Sequence, residues 1–295
     1  MNNAVQQSYL SQIELKLNEL LPEEPLLQAG LIQAMRYSLL AGGKRIRPVL
    51  VLEFCRLCGG EPQTALPFAC AIEMVHTYSL IHDDLPCMDN DDMRRGRPSN
   101  HKVFGEDMAL LAGDALLTMA FETMLSPRAV AAAGAQRAAD AAGILAFAAG
   151  AHGMVGGQVI DLMSEGKKIS FETLKKMDEG KTGALIVAAA KMGAVLGGAG
   201  REQLAAAENY AASIGLAFQI IDDILDVTGD TQTLGKPAGS DAENGKSTYV
   251  TFMGLEKAKK TAAALTDAAV SSLRCFGEEA RYLTELANNL SVRNK

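Results

Sequence analysis

An all-α fold is what this sequence predicts, and three observations predict it. Apolar residues recur at spacings of three and four over most of the chain, the period of a buried helix face. Alternating runs of Val, Ile and Thr, the mark of half-buried strands, are scarce. Alanine, the strongest helix former, is concentrated between Arg128 and Gly153, where its small side chains also let neighbouring helices approach closely. The economical arrangement is a large helical bundle.

The elements follow in order. Residues 4–20 are amphipathic and should end before Pro22. Residues 26–41 repeat apolar positions at three and four and stop at Gly42-Gly43. The stretches 46–58 and 64–84 are long and largely apolar, as helices buried on all sides are. Helices are then expected over 106–125, the alanine-rich tract 128–153, 171–178, 181–197, 201–227, 254–274 and 277–289. Beyond one short turn, nothing suggests a hairpin. Three polar loops adjoin acidic motifs: Asp89 to Lys102, Ser164 to Ser170 and Thr228 to Ser247. Loops of this kind can close over a charged ligand and exclude water.

Composition narrows the class. The chain has 295 residues, 48% hydrophobic and 21% charged, an ordinary globular balance. No Pro- or Ser-rich linker divides it, so residues 1–295 are expected to form a single domain. Net charge is −7 with no basic stripe along a helix, which excludes nucleic acid as the expected partner. The five cysteines include one isolated Cys55-Arg56-Leu57-Cys58. With no second pair, small buried helical residues are a better reading than zinc, and a reducing cytoplasm is expected. The start lacks a charged, apolar leader. No uninterrupted apolar run reaches the roughly 18 residues of a membrane span, and stable membrane insertion is not expected. The best run, Ala184 to Leu196, is broken by Lys191.

Chemistry concentrates in two clusters of aspartates, each ending an apolar helical stretch. One is Asp83-Asp84 with Asp89, the other Asp222-Asp223 with Asp226. Asp222 and Asp226 are four apart and Asp223 and Asp226 three apart, so the second set lies near one helix face. In the first set, six residues separate Asp83 from Asp89, about 600° of helical rotation. Pro86 has no amide hydrogen and disrupts helix. The helix should therefore end near Asp84 and the chain curl so that Asp89 returns. Adjacent carboxylates raise one another's pKa unless a cation holds them. Oxygen ligands without His or Cys suit Mg²⁺ and its bound phosphates. A site that needs both clusters also argues for a single domain.

A third motif, Gly42-Gly43-Lys44-Arg45-Ile46-Arg47-Pro48, joins two helices. Lys44 and Arg47 bring cationic donors to a helix start, where exposed amides also favour a phosphate. It is not a nucleotide-binding P-loop, because the Gly-x4-Gly-Lys-Ser/Thr pattern is missing.

These motifs together resemble the trans-isoprenyl diphosphate synthases, in particular the bacterial farnesyl diphosphate synthases. The resemblance spans nearly the whole chain. Its further markers are His82 before Asp83, Arg94-Arg95-Gly96, Gly113-Asp114, Gly157-Gln158 with Asp161, Lys181-Thr182-Gly183 and Phe218-Gln219 before Asp222. It implies an isoprenoid-synthase bundle around a central active-site cavity, acting as a homodimer. It also implies about three Mg²⁺ ions per site. Asp83, Asp89 and Asp222 would be ligands, with Asp84, Asp223 and Asp226 binding directly or through water. Dimethylallyl or geranyl diphosphate would be contacted by Arg94, Lys181, Thr182, Gln219 and Lys236. Isopentenyl diphosphate would take the basic pocket of Gly43, Lys44, Arg47, His76 and Arg95; a buried core histidine competes as a reading of His76.

Product length is expected to depend on Tyr78, five residues before Asp83 and about 7.5 Å along the helix. A bulky ring there can floor the pocket, whereas the neighbouring Ser79 cannot. The resemblance assigns this pattern to a fifteen-carbon, farnesyl product. A geranylgeranyl or longer-chain synthase is the alternative. A noncatalytic subunit of a prenyl synthase complex would be expected to lose one acidic cluster. A terpene cyclase would need no second diphosphate pocket.

Overall fold

The computed structural model describes residues 2–21, 27–228 and 247–291. Its helices are α1 (Asn2–Leu20), α2 (Ala29–Leu39), α3 (Ile46–Leu57), α4 (Pro62–Asp83), α5 (Asn100–Phe104), α6 (Glu106–Met124), α7 (Pro127–Ala133) and α8 (Ala135–Ala149). They continue with α9 (Met154–Ser164), α10 (Phe171–Asp178), α11 (Ala184–Gly197), α12 (Arg201–Thr228), α13 (Tyr249–Met253), α14 (Leu255–Ser272) and α15 (Arg281–Ser291). A π-helical turn, Glu179–Gly183, joins α10 to α11, and a 3-10 segment, Leu273–Ala280, joins α14 to α15. Among the described residues, the strands are β1 (Met93–Arg94) and β2 (Arg97–Pro98). They pair antiparallel, with Met93 opposite Pro98 and Arg94 opposite Arg97. The all-α expectation holds.

The expected helix over 128–153 is instead divided. Gly134, at φ 85°, separates α7 from α8, and α8 stops at Ala149, before Gly150. Helix α9, together with the short α5 and α13, was not foreseen. Most of the loop from Thr228 to Ser247, with Lys236, lies outside the described residues.

Two compact units make up the fold: Met1–Leu145 with Met192–Gly198, and Ala146–Lys191 with Ala199–Lys295. In the first, α4 packs on both α3 and α6, which explains why its sequence is apolar on every side. Val49 through Cys55 of α3 are all buried, and α1 adds Ile13 and Leu17. Polar groups also enter this core, among them Arg45, Glu53, Glu73 and Thr77. Glu53 accepts from the Tyr9 hydroxyl at 2.9 Å and from Arg56 at 3.0 Å.

In the second unit, α12 buries a stripe running from Ala206 through Tyr210, Ile214 and Ala217 to Ile221. It packs on Ala258, Ala262, Thr266 and Ala269 of α14. Small residues facing one another bring these helices close. Leu174, Ile220, Ile221 and Tyr249 complete the cluster under the acidic end of α12.

By length and composition, α4 and the stretch Ala135–Ser164 could cross a membrane. Isolated polar residues interrupt both stretches, so neither contains an unbroken apolar run of that length. In α4, 72% of the apolar window is buried within the protein.

Candidate active site

The acidic end of α4 is shaped by its termination. Asp84 caps the helix, its N–H donating to the Leu80 carbonyl at 3.2 Å. Beyond Pro86 the chain curls back, and the Asp89 N–H donates to the Asp83 carbonyl at 2.9 Å. Asn90 completes the turn at φ 51°. Asp83 is half-buried and Asp89 exposed. Asp84 is turned inward, only 2% exposed, and accepts from Arg94 Nε at 2.9 Å and from Arg94 Nη2. Burial pushes the Asp84 carboxyl up while Arg94 opposes that shift. Arg94 also reaches Asp91 at 3.0 Å, so here it serves the loop's own carboxylates.

The same unit gathers the basic residues. Arg95 sits at φ 53° in the turn between β1 and β2 and donates to the Gly42 carbonyl. Gly43 makes this approach possible: a Cβ there would lie 3.0 Å from the Arg95 guanidinium carbon. Arg47 is half-buried, and its Nε is itself buried with no hydrogen-bond partner among the described residues. Burial, then the charges of Arg47, Arg95, Arg45 and Arg94, hold the His76 pKa well below its usual value. His76 is therefore neutral near pH 7. Cations packed this closely, with a buried donor left open, are chemically suited to a multiply charged anion. Lys44 stands exposed at its edge.

Tyr78, 7% exposed, lies on the apolar body of α4. Its ring meets His82 edge-on, with centroids 5.6 Å apart. His82 Nε2 lies 3.0 Å from the Leu110 carbonyl oxygen. Gly113 leaves room for this imidazole, since a Cβ there would fall 2.1 Å from Nε2. Ser79 is half-buried, its hydroxyl donating to the His76 carbonyl at 2.9 Å.

In the second unit, Lys181 and Thr182 lie in the π turn. Lys181 Nζ contacts Asp161 Oδ2 at 2.6 Å. That contact is set by two interlocked glycines: a Cβ at Gly157 would lie 2.0 Å from the Lys181 backbone nitrogen, and one at Gly180 would lie 2.9 Å from the Gly157 Cα. Burial, then Asp161, raise the Asp178 carboxyl to about 6, with Tyr249 and Lys181 pulling the other way. On α12, Gln219 and Asp223 are half-buried, Asp222 is exposed and Asp226 is 3% exposed. Asp223 Oδ2 accepts from the Tyr249 N–H at 2.6 Å.

Glu73, Asp178 and Tyr249 carry no signal in the sequence that marks them, and Arg45 was noted only within the Gly42–Pro48 motif. A fixed spacing could not have revealed them, since their partners lie far along the chain. Asp161 was noted only as part of a motif.

Among the described residues, no three His, Cys, Asp or Glu side chains converge closely enough to form a metal site. The donor chemistry nevertheless fits a hard divalent cation. Asp83 and Asp89 are joined through the backbone at a helix end, and Asp222 is exposed at another, with no His or Cys ligand required.

Residues 28–283 match the family model described as polyprenyl synthetase. The chain is 51% identical over 265 residues to the heterodimeric geranylgeranyl pyrophosphate synthase large subunit 1, chloroplastic, of Arabidopsis thaliana. That match covers 88% of this chain and 71% of the relative. A chloroplastic geranylgeranyl pyrophosphate synthase of Capsicum annuum is 45% identical, over 97% of this chain and 78% of its own length. The apo structure of an FPP/GFPP synthase from Zymomonas mobilis superposes with a TM-score of 0.88, at 38% identity and 99% coverage of both chains. The all-α bundle is thus of the isoprenoid-synthase type.

Two expectations change. The resemblance pointed specifically to bacterial farnesyl diphosphate synthases, whereas these curated relatives are named for geranylgeranyl products. The expected cytoplasmic location is overturned by relatives named as chloroplastic. Free cysteines distinguish reducing from oxidising surroundings, but they do not separate one reducing compartment from another.

Proposed function

Because the chain belongs to the polyprenyl synthetase family, a family of divalent-metal-dependent prenyltransferases acting on isoprenoid diphosphates, we propose that it condenses isopentenyl diphosphate with allylic diphosphates to a short all-trans chain. The observation that carries this reading is the anion pocket of Gly43, Arg47, His76 and Arg95, with its open buried donor. A terpene cyclase has no use for such a pocket. Both acidic clusters are present, which argues against a noncatalytic subunit.

The division of labour follows from where charge develops. Asp83, Asp89 and Asp222 would hold about three Mg²⁺ ions, with Asp84, Asp223 and Asp226 acting directly or through water. Bound there, Mg²⁺ would supply the Lewis acidity that draws the diphosphate off the allylic carbon. Lys181 and Arg94 add positive charge at the departing diphosphate, with Thr182, Gln219 and Lys236 completing its contacts; this electrostatic work needs no covalent nucleophile. Lys44, Arg47, His76 and Arg95 orient isopentenyl diphosphate so that its double bond attacks the cation, forming a 1′–4 bond. Loss of a proton then completes the condensation. Water must be excluded, or the cation becomes an alcohol.

We assign the final product twenty carbons, on the names of the curated relatives. Fifteen carbons is the second reading, supported by one observation: Tyr78 is a buried ring in the α4 wall, braced by His82. Purified protein given Mg²⁺, dimethylallyl diphosphate and labelled isopentenyl diphosphate should yield geranylgeranyl diphosphate. A farnesyl end product selects the second reading, and no condensation refutes both. Asp83→Ala or Asp222→Ala should abolish turnover with an unchanged circular dichroism spectrum. Tyr78→Ala should lengthen the product by at least one isoprene unit. If it leaves the length unchanged, another wall sets the limit.

The active protein is proposed to be a homodimer formed from one domain spanning residues 1–295. Support comes from Val155, Val159 and Met163, exposed apolar residues spaced four apart on α9.

A further inference from the structure

Behind the anion pocket lies a buried ion pair with no part in the scheme above. Arg45 follows Lys44 and precedes Arg47 by two, yet its side chain is 0% exposed. Its Nε contacts Glu14 Oε1 at 2.8 Å, Nη1 contacts Glu73 Oε1 at 2.5 Å, and Nη2 donates to the Leu39 carbonyl at 2.8 Å. All three guanidinium nitrogens are thus engaged inside the protein. The backbone of Arg45 is also unusual, at φ 47° immediately before α3. A non-glycine residue persists in that region only where its surroundings over-determine it.

Glu73 is the other half. It is 2% exposed and lies on α4 three residues before His76. Its carboxylate attracts Arg45 directly, and its charge also acts on Arg47 and Arg95. It is an internal counter-charge behind cations that would otherwise repel one another. Being buried, it leaves their outer side available to an anion.

We propose that Arg45 and Glu73 are positioning residues for the isopentenyl diphosphate pocket, holding the Gly43–Arg47 segment and Arg95 in binding geometry without touching the ligand. This inference rests on the pocket assignment made above. A carboxylate that aligns binding groups contributes to substrate affinity, and its loss raises KM with little change in kcat.

The test uses the full-length enzyme with KM measured for each substrate, kcat, and thermal unfolding by circular dichroism. Glu73→Gln keeps the shape and removes the charge. It should raise KM for isopentenyl diphosphate about tenfold, with kcat and the allylic KM within about twofold. Glu14→Gln, at the partly exposed end of the network, should raise the same constant less and is safe for folding should Glu73→Gln fail to fold. Arg47→Ala, run in parallel, separates the two ideas. If it raises that KM while the folded glutamate variants do not, the positioning role is refuted and the pocket stands. If Arg47→Ala also has no effect, both fall. An equal rise in both substrate constants in the glutamate variants would indicate general loosening and overturn the proposal.

Discussion

Asp178 shows how one carboxyl can couple stability to pH. Burial, with the nearby charge of Asp161, raises it from 3.8 to about 6 against the opposing pull of Tyr249 and Lys181. A carboxyl whose folded-state value lies above its unfolded value favours folding while protonated. That contribution is complete below the unfolded value and is lost as pH rises through about 6. Asp178→Asn, neutral throughout, should therefore gain stability over the parent as pH rises from about 4 to about 6 and keep that gain above it, by up to about 3 kcal/mol. Thermal unfolding across that range checks this, and a pH-independent difference would contradict it. None of this was legible in the residue's neighbours in sequence. By contrast, the curl that returns Asp89 to the end of α4 could be read from Pro86 and the six-residue step, because it is a local backbone effect.

Among the elements, the π turn from Glu179 to Gly183 has little tolerance for added bulk. It presents Lys181 and Thr182, and it sits against Gly157 of α9 with no space for a methyl group. Gly157→Ala should cost about 1–3 kcal/mol through overpacking. It should also raise KM for the allylic substrate more than KM for isopentenyl diphosphate, since the shifted backbone carries Lys181. Equal melting temperatures and equal constants would show that the turn accommodates the methyl. Long helices such as α4 and α12 were legible because many turns repeat the same period. Helices α5 and α13, five residues each, are too short for periodicity to register. The Thr248–Thr251 capping box that starts α13 is a local signal that could have found it.

At the scale of the whole molecule, the stripe of Val155, Val159 and Met163, at 46%, 49% and 66% exposure, leads to a prediction about assembly. Val159→Glu should shift the protein from dimer to monomer in sedimentation without reducing its helical content. A parent protein that is itself monomeric at every concentration would remove the basis for the homodimer. The sequence by itself determined the helical class and most helix positions, because hydrophobic period and residue propensity act over a few residues. It also located the aspartate clusters and the Gly42–Pro48 segment, whose composition announces charge chemistry without reference to the fold. Only tertiary structure decided which charges are spent internally. Arg45 and Arg47 are equally basic in sequence, yet one is held by Glu14 and Glu73 while the other keeps an open buried donor. Asp83 and Asp84 are adjacent, yet Arg94 holds the second inside. The physical reason is that a side chain's burial and partners are set by residues distant in the chain, and these determine whether its charge is neutralised within the protein or remains for a ligand.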